Sequence, residues 1–347
     1  MEKKRNTKTQ ALCSNAKQNR TAALLLALLL CLPLSGCADS ARQATRSGFY
    51  FDTIISLSAY GSHADQALEG ALALCERYER LLGRTVKGSD IWKINHAGGK
   101  SVQVDRETAV LLQTALDWAD RTQGLIDPTI APLSELWNFT GDPPGPVPSQ
   151  ERIDALLSHV DYRKVTVTLS DPACVTLSDP DAQLDLGFIA KGYIADRLKD
   201  YFLEQGIQSA LINLGGNVLA LGEKPDGSAF RTGIRKPFGN DGELLGVVEL
   251  RDRSLVSSGS YERFFEQDGV LYHHILDPNS GRPADTGLDS VTILSDSSAD
   301  GDALSTACFL LGYEKGRELI DSLPGVEALF SMSDGTICRT EGFPKAS

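Results

Sequence analysis

Apolar residues recur along this chain at two spacings, and each spacing predicts a kind of element. Over residues 64–82, Leu68, Leu72, Cys75, Tyr78 and Leu82 return every three or four positions, which is helical, and Gly83 ends the run. The same spacing predicts helices over 106–122, with Leu111, Ala115 and Trp118 on one side, and over 189–204, where Ile194, Leu198, Tyr201 and Phe202 precede Gly206. A shorter helix is expected over 150–158. Alternating or β-rich runs predict strands over 50–60, 101–104, 164–169, 174–177 and 183–186, then mostly short strands with Gly, Asp and Pro turns over 209–276. Residues 288–294, 326–332 and 336–339 read as closing strands, with helices over 299–311 and 313–322 between them. TGDPPGPVPS, residues 140–149, is a loop, either an internal boundary or a long surface excursion. No regular βαβ alternation and no internal repeat is present, so the class is α+β, with antiparallel or mixed sheets and packed helices.

One apolar run fits neither spacing. Residues 21–34 are leucine-rich, follow a basic stretch ending at Arg20, and lead into LSGC, residues 34–37. About 14 residues fall short of the roughly 20 that a membrane-crossing helix needs, so the run is a secretory signal. LSGC resembles the lipobox of bacterial lipoproteins, where cleavage precedes a cysteine, here Cys37, whose thiol receives a diacylglyceryl group. Acyl chains there would hold the protein on the extracytoplasmic face of a membrane in the bacterial cell envelope. The expected organisation is a signal over 1–36, a lipid-anchored tether over 37–48 and a folded body over 49–347, beginning near Phe49.

Charge changes the picture once it is divided there. The chain has 34 Lys plus Arg against 46 Asp plus Glu, net −12. Six of the basic residues and one acid precede Cys37, which leaves 28 basic and 45 acidic residues after it, net −17. Such a balance disfavours sequence-independent nucleic-acid binding. Seven cysteines reduce to Cys75, Cys174, Cys308 and Cys338, with no CxxC and no histidine at zinc-site spacing. Cys75 and Cys308 fall on apolar helix faces and are expected as buried thiols.

Candidate chemistry gathers in four segments. In ADGDALSTACFLLG, residues 299–312, a helix puts Leu304, Ala307, Cys308 and Leu311 on one face and Asp302, Ser305, Thr306 and Phe309 on the other. Asp302 and Thr306, four apart, could touch one hard cation such as Mg²⁺, or the face could simply be solvated and acidic. LDLGFIAKG, residues 184–192, sets Asp185, a glycine turn and Lys191 in a polar corner suited to phosphate, or supplies only a cap and a surface charge. NLGGN, residues 213–217, reads as a hairpin turn. YHHILDPNSGRP, residues 272–283, ends a strand, and its adjacent histidines point to opposite faces, so at most one serves a site. The near P-loop GRTVKGS, residues 83–89, has Ser where Lys is required.

Taken in order, with GLIDPT (residues 124–129) and SDIWKIN (residues 89–95) upstream, these segments resemble the FAD:protein FMN transferase family, the ApbE-like flavin transferases. The resemblance spans about residues 51–312 and implies an ApbE-like, T-fold-related architecture. It implies transfer of the FMN half of FAD to a Ser or Thr hydroxyl of an exported or membrane-bound acceptor protein, with release of AMP and a requirement for Mg²⁺. By motif, Asp302, Ser305, Thr306 and the Phe188 carbonyl would hold the metal, relatives carrying a smaller residue at the last position. FAD contacts would fall on Phe51, Thr85, Leu125, Ile126, Asp127, Asp185, Lys191 and Leu276, and His274 would be the general base. Two alternatives share these residues: a Mg²⁺-dependent FAD pyrophosphatase, and a flavin-binding lipoprotein without chemistry.

Overall fold

The computed structural model describes residues 42–345. The signal, Cys37 and the first part of the tether lie outside them. At the first described residues the chain is already strand: β1 (Gln43–Tyr50) and β2 (Thr53–Tyr60) form a hairpin closed by Phe51 and Asp52, both at φ 56°. The folded body therefore begins ahead of Phe49. Burial alternates along β1, one face staying open to solvent, and the strand is held by the β2 ladder and by Arg42 and Arg46, which pair with Asp65 and Glu69. Gln43 pairs with Tyr60 at one end of the sheet, and Tyr50 with Thr53 at the other.

The chain continues through α1 (Ala64–Leu82), α2 (Asp90–Asn95), β3 (Val102–Gln103), α3 (Arg106–Arg121), α4 (Ala131–Trp137), α5 (Gln150–Leu157), β4 (Val165–Thr168), β5 (Cys174–Leu177) and α6 (Ala190–Glu204). The second half is β6 (Ala210–Leu214), β7 (Asn217–Leu221), β8 (Phe230–Arg235), β9 (Leu244–Leu250), β10 (Ser254–Gly259), β11 (Phe264–Gln267), β12 (Val270–His273), β13 (Leu276–Asp277), β14 (Arg282–Pro283), β15 (Leu288–Ser295), α7 (Ser298–Asp321), β16 (Glu327–Met332) and β17 (Ile337–Arg339). Eight strands make one antiparallel sheet in the order β1-β2-β6-β7-β10-β15-β16-β17.

Period-two patterning divides the core between the faces of this sheet. Ile55, Leu57, Ile212, Leu219 and Ile293 point to α1, α6 and α7, with Leu68, Cys75, Leu198, Phe202 and Cys308 opposite. Val218, Leu255 and Leu294 point the other way, onto Phe230, Ile234 and Val248 of the β8–β9 ribbon. Every residue of β7 is buried because both of its faces are covered. The residue 140–149 loop is a surface excursion of the single unit that begins at Arg42, not a boundary. All four cysteines are free thiols, and burial pushes those of Cys75 and Cys308 up to about 12.

One expectation needs correction. Residues 183–186 are not a strand beyond one bridge, Gln183 to Ile130. The Asp185 N–H donates to the Pro128 carbonyl at 2.8 Å, and Leu184 is satisfied by a side chain: Asn95 Nδ2 donates to its carbonyl at 3.0 Å and its N–H donates to Asn95 Oδ1 at 2.7 Å. The amide imitates a ladder partner, which apolar patterning cannot register. The two helices expected over 299–322 are present as the halves of α7, separated at Gly312, whose φ 75° and ψ 178° are not helical.

Candidate active site

The N-termini of α6 and α7 meet at close quarters. A Cβ on Gly192 would lie 2.2 Å from the Ser298 carbonyl oxygen, so only glycine permits the crossing. Asp196 fastens it, accepting the Ser298 and Ala299 N–H groups at 3.0 Å each. The first turn of α6 is thereby aimed at Asp302, whose Oδ2 accepts the Gly192 N–H at 2.9 Å.

Asp302 is buried, as are Ser305 and Phe309, and Thr306 is half-buried, so the solvated-face reading of this helix is overturned. Burial raises the Asp302 carboxyl above the usual range, while Lys191, the Gly192 N–H and the Asn217 amide oppose the rise. Beside it the Ser305 hydroxyl donates to the Asp302 carbonyl at 2.9 Å, and Ser258 of β10 bridges Ser305 at 2.7 Å and Thr306 at 3.3 Å. A buried carboxylate with three converging hydroxyls is an all-oxygen donor set suited to a small hard cation. Among the described residues the Phe188 carbonyl, just ahead of α6, is left without a backbone donor. In a regular helix Gly192 would donate back to that carbonyl, but its N–H goes to Asp302, and among the described residues no backbone N–H takes its place.

His274 follows β12, its N–H donating to the Arg263 carbonyl at 3.0 Å. Its Nδ1 is buried without a partner among the described residues. Burial, then Arg263, His273 and Lys191, push the ring down to about 3. The neighbouring His273 is locked: Nε2 meets the Ala284 carbonyl at 3.0 Å and the ring stands edge-on to Phe309 at 5.4 Å. Only His274 is therefore free for chemistry. The charge of Lys191 opposes the rise at Asp302 and Glu262 and adds to the fall at His274. Glu262 opens to solvent, yet the protein crowding it raises its carboxyl, with Asp302 reinforcing the rise and Lys191 opposing it.

The other expected contacts divide by how their side chains are used. Phe51 sits at the hairpin tip, its N–H on Glu79 Oε1 at 2.9 Å. Thr85 is exposed on the turn after α1. Asp185 accepts the Gly187 N–H at 2.8 Å and lies 3.4 Å from Arg84. Leu125 is half-buried and Ile126 buried beside Asp127, whose oxygens are consumed by Thr129 and the Tyr162 N–H. Leu276 packs with Leu133, Trp137 and Ile153 in a satellite core. Asp127 and Leu276 therefore have only backbone to offer a ligand.

Sequence reasoning missed Asp196, Ser258 and Glu262. Asp196 looks like an ordinary polar residue of α6, and Ser258 lies in a serine-rich strand. No spacing signals that either faces α7.

His159, Asp179 and Asp181 also bring potential ligand atoms together. Burial would raise the Asp179 carboxyl, but Lys164, the Asp181 N–H and His159 outweigh it and hold it at about 2. This is a saturated ion pair, not a vacant site.

Known proteins resemble this chain over most of its length. The ApbE family model matches residues 51–330. The FAD:protein FMN transferase of Treponema pallidum (strain Nichols) is 37% identical over 337 residues, covering 92% of each chain. That of Klebsiella pneumoniae (strain 342) is 42% identical over 271 residues, 78% of this chain and 83% of the relative. Among solved structures, the ApbE protein of Thermotoga maritima matches with a TM-score of 0.80 at 33% identity over 87% of this chain and 98% of its own. The apo flavinyl transferase ApbE of Pseudomonas stutzeri gives 0.75 at 29%, over 87% and 96%. With sequence similarity and fold coinciding over nearly all the described residues, this chain belongs to the ApbE family.

Proposed function

We propose that the protein transfers the FMN moiety of FAD to a Ser or Thr hydroxyl of an acceptor protein and releases AMP. The observation that carries this reading is the buried Asp302, held by the α6 N-terminus and flanked by Ser305, Thr306 and Ser258, opposite an unpartnered His274.

In the reaction the acceptor oxygen forms a bond to the FMN phosphorus, the bond from that phosphorus to the AMP oxygen breaks, and His274 takes the hydroxyl proton. Mg²⁺ held by Asp302, Ser305, Thr306 and the Phe188 carbonyl would supply charge neutralisation at the pyrophosphate. Lys191 and the N-terminal N–H groups of α6 add positive potential at the same place. As the anionic diphosphate offsets Lys191 and Arg263, His274 becomes a stronger base where a base is needed. The site thus favours the reaction when substrate is present.

We further propose that Cys37 is lipidated and that the enzyme works on the extracytoplasmic face of the envelope, a reading supported by the LSGC motif after a basic and apolar leader. Incubation with FAD, Mg²⁺ and an exported acceptor domain, read by in-gel flavin fluorescence and mass, tests the activity. FMN covalently on the acceptor is expected; free FMN and AMP alone would indicate a pyrophosphatase, and intact bound FAD a carrier. Replacing Asp302 by Ala should remove Mg²⁺-dependent turnover, by at least a hundredfold, with the fold retained.

A further inference from the structure

Flavin transfer needs a polypeptide hydroxyl at His274, and the surface beside that residue is aromatic. Phe238, on the loop from β8 to β9, is 49% exposed, and Phe264, the first residue of β11, is 39% exposed. Their ring centroids lie 5.5 Å apart at 78°, and Phe238 also meets Tyr261 edge-on at 6.2 Å. Tyr261 is buried beneath them, with the Arg235 guanidinium 5.5 Å from its ring. Phe238 thus joins the exposed Phe264 to the buried Tyr261, which makes a patch and not scattered apolar residues.

The patch is rigid. Phe238 holds φ 52°, a left-handed conformation unusual for a bulky residue. Turn bonds keep it there, from Gly239 to Lys236 at 3.1 Å and from Glu243 to Asn240 at 2.9 Å. A fold that maintains a strained backbone to present an exposed ring gains nothing for its own core, and such strain concentrates at functional surfaces. Rings already fixed also lose little entropy on contact with a partner.

Position gives the patch its purpose. Phe264 pairs with His273, and Arg263, next to it, accepts the His274 N–H. In the other direction the link from Tyr261 runs back to Ser258, which bonds Ser305 and Thr306. Among the described residues β11 pairs only with β12, so its outer edge keeps backbone groups open to an added strand.

We propose that Phe238, Phe264 and Tyr261 form the docking surface for the acceptor polypeptide, whose occupying segment is extended and carries an apolar side chain near its reactive Ser or Thr. In an extended segment, residues two apart face the same side, so an apolar residue on the rings holds the hydroxyl on their side of the strand. The proposal rests on the flavin-transfer reading above.

The test uses the protein with FAD, Mg²⁺ and 15-residue peptides with one central Thr, flanked two positions away by either Leu or Ser. The expected result is a kcat/KM at least tenfold higher for the Leu-flanked peptides, reduced to about twofold or less by Phe238→Ser with Phe264→Ser. FAD affinity by fluorescence titration should stay within twofold and Tm within a few degrees. A preference that survives the double substitution overturns the proposal. So does weakened FAD binding, which would assign the rings to the nucleotide, or loss of a dimer in light scattering, which would assign them to a second copy. If the unaltered protein binds FAD yet labels no peptide and no exported acceptor domain, the transferase reading itself fails.

Discussion

Two adjacent histidines carry opposite duties, and their surroundings explain why. His273 spends its ring on the Ala284 carbonyl and Phe309, while His274 keeps an unpartnered Nδ1 and is held near 3 by burial and by the charges of Arg263, His273 and Lys191. The free enzyme therefore has a neutral His274 throughout the physiological range, and an NMR titration without nucleotide should show no protonation of this ring between pH 8 and 5. Since the folded value lies below the unfolded value of about 6.5, the unfolded chain binds more protons between pH 3 and 6.5, and this group makes stability rise with pH across that window. His274→Gln should flatten the rise; identical denaturant midpoints against pH in both proteins would contradict it. His274→Ala should also slow transfer, by about 10²- to 10⁴-fold. The sequence indicated that only one of the two histidines could serve a site, because strand neighbours face opposite ways. The resemblance named His274; the strand pattern could not, because what occupies His273 is Ala284 and Phe309, and no local pattern brings those residues to β12.

At the scale of elements, the crossing of α6 and α7 matters most. Gly192→Ala would press a methyl against the Ser298 carbonyl and the Ala299 Cα, backbone atoms that cannot rotate away. Parting the helices should cost about 1–3 kcal/mol by overpacking. It should also withdraw the Gly192 N–H from Asp302, so transfer should fall more steeply than Tm; an unaltered rate in the substituted protein would show that the crossing does not position Asp302. Helical periodicity revealed α1, α3 and α6 because each buries one apolar stripe and leaves its other side to solvent. It misjudged α7, whose two faces are both buried, so that Asp302 and Ser305 look like solvent-facing residues. It misjudged residues 183–186 for a different reason, since Asn95, from 89 positions away, takes both backbone hydrogen bonds of Leu184. Motif order pointed to the family where periodicity did not, because the segments that carry the resemblance are far apart in sequence.

The molecule as a whole is acidic after residue 37, and FAD is an anion, so the global field opposes binding. Lys191, Arg263 and the α6 N-terminus must reverse that field locally. Raising the salt concentration should therefore weaken FAD binding only slightly or strengthen it, through screening of the long-range repulsion, and a steep loss of affinity between 50 and 300 mM salt would contradict this account. One further property follows from the direction of β1. The chain joins the folded body beside Gln43, whereas Phe51, Gly215 and the residues around Asp302 lie toward the opposite end of the sheet, across eight residues of strand or roughly 23 Å. With Cys37 lipidated, the five residues before Gln43 add at most about 17 Å of slack. The fold would then work as a stand-off, addressing hydroxyls on domains that project from the membrane before those at headgroup level, and the length of the tether would act as a ruler for which acceptors are flavinylated.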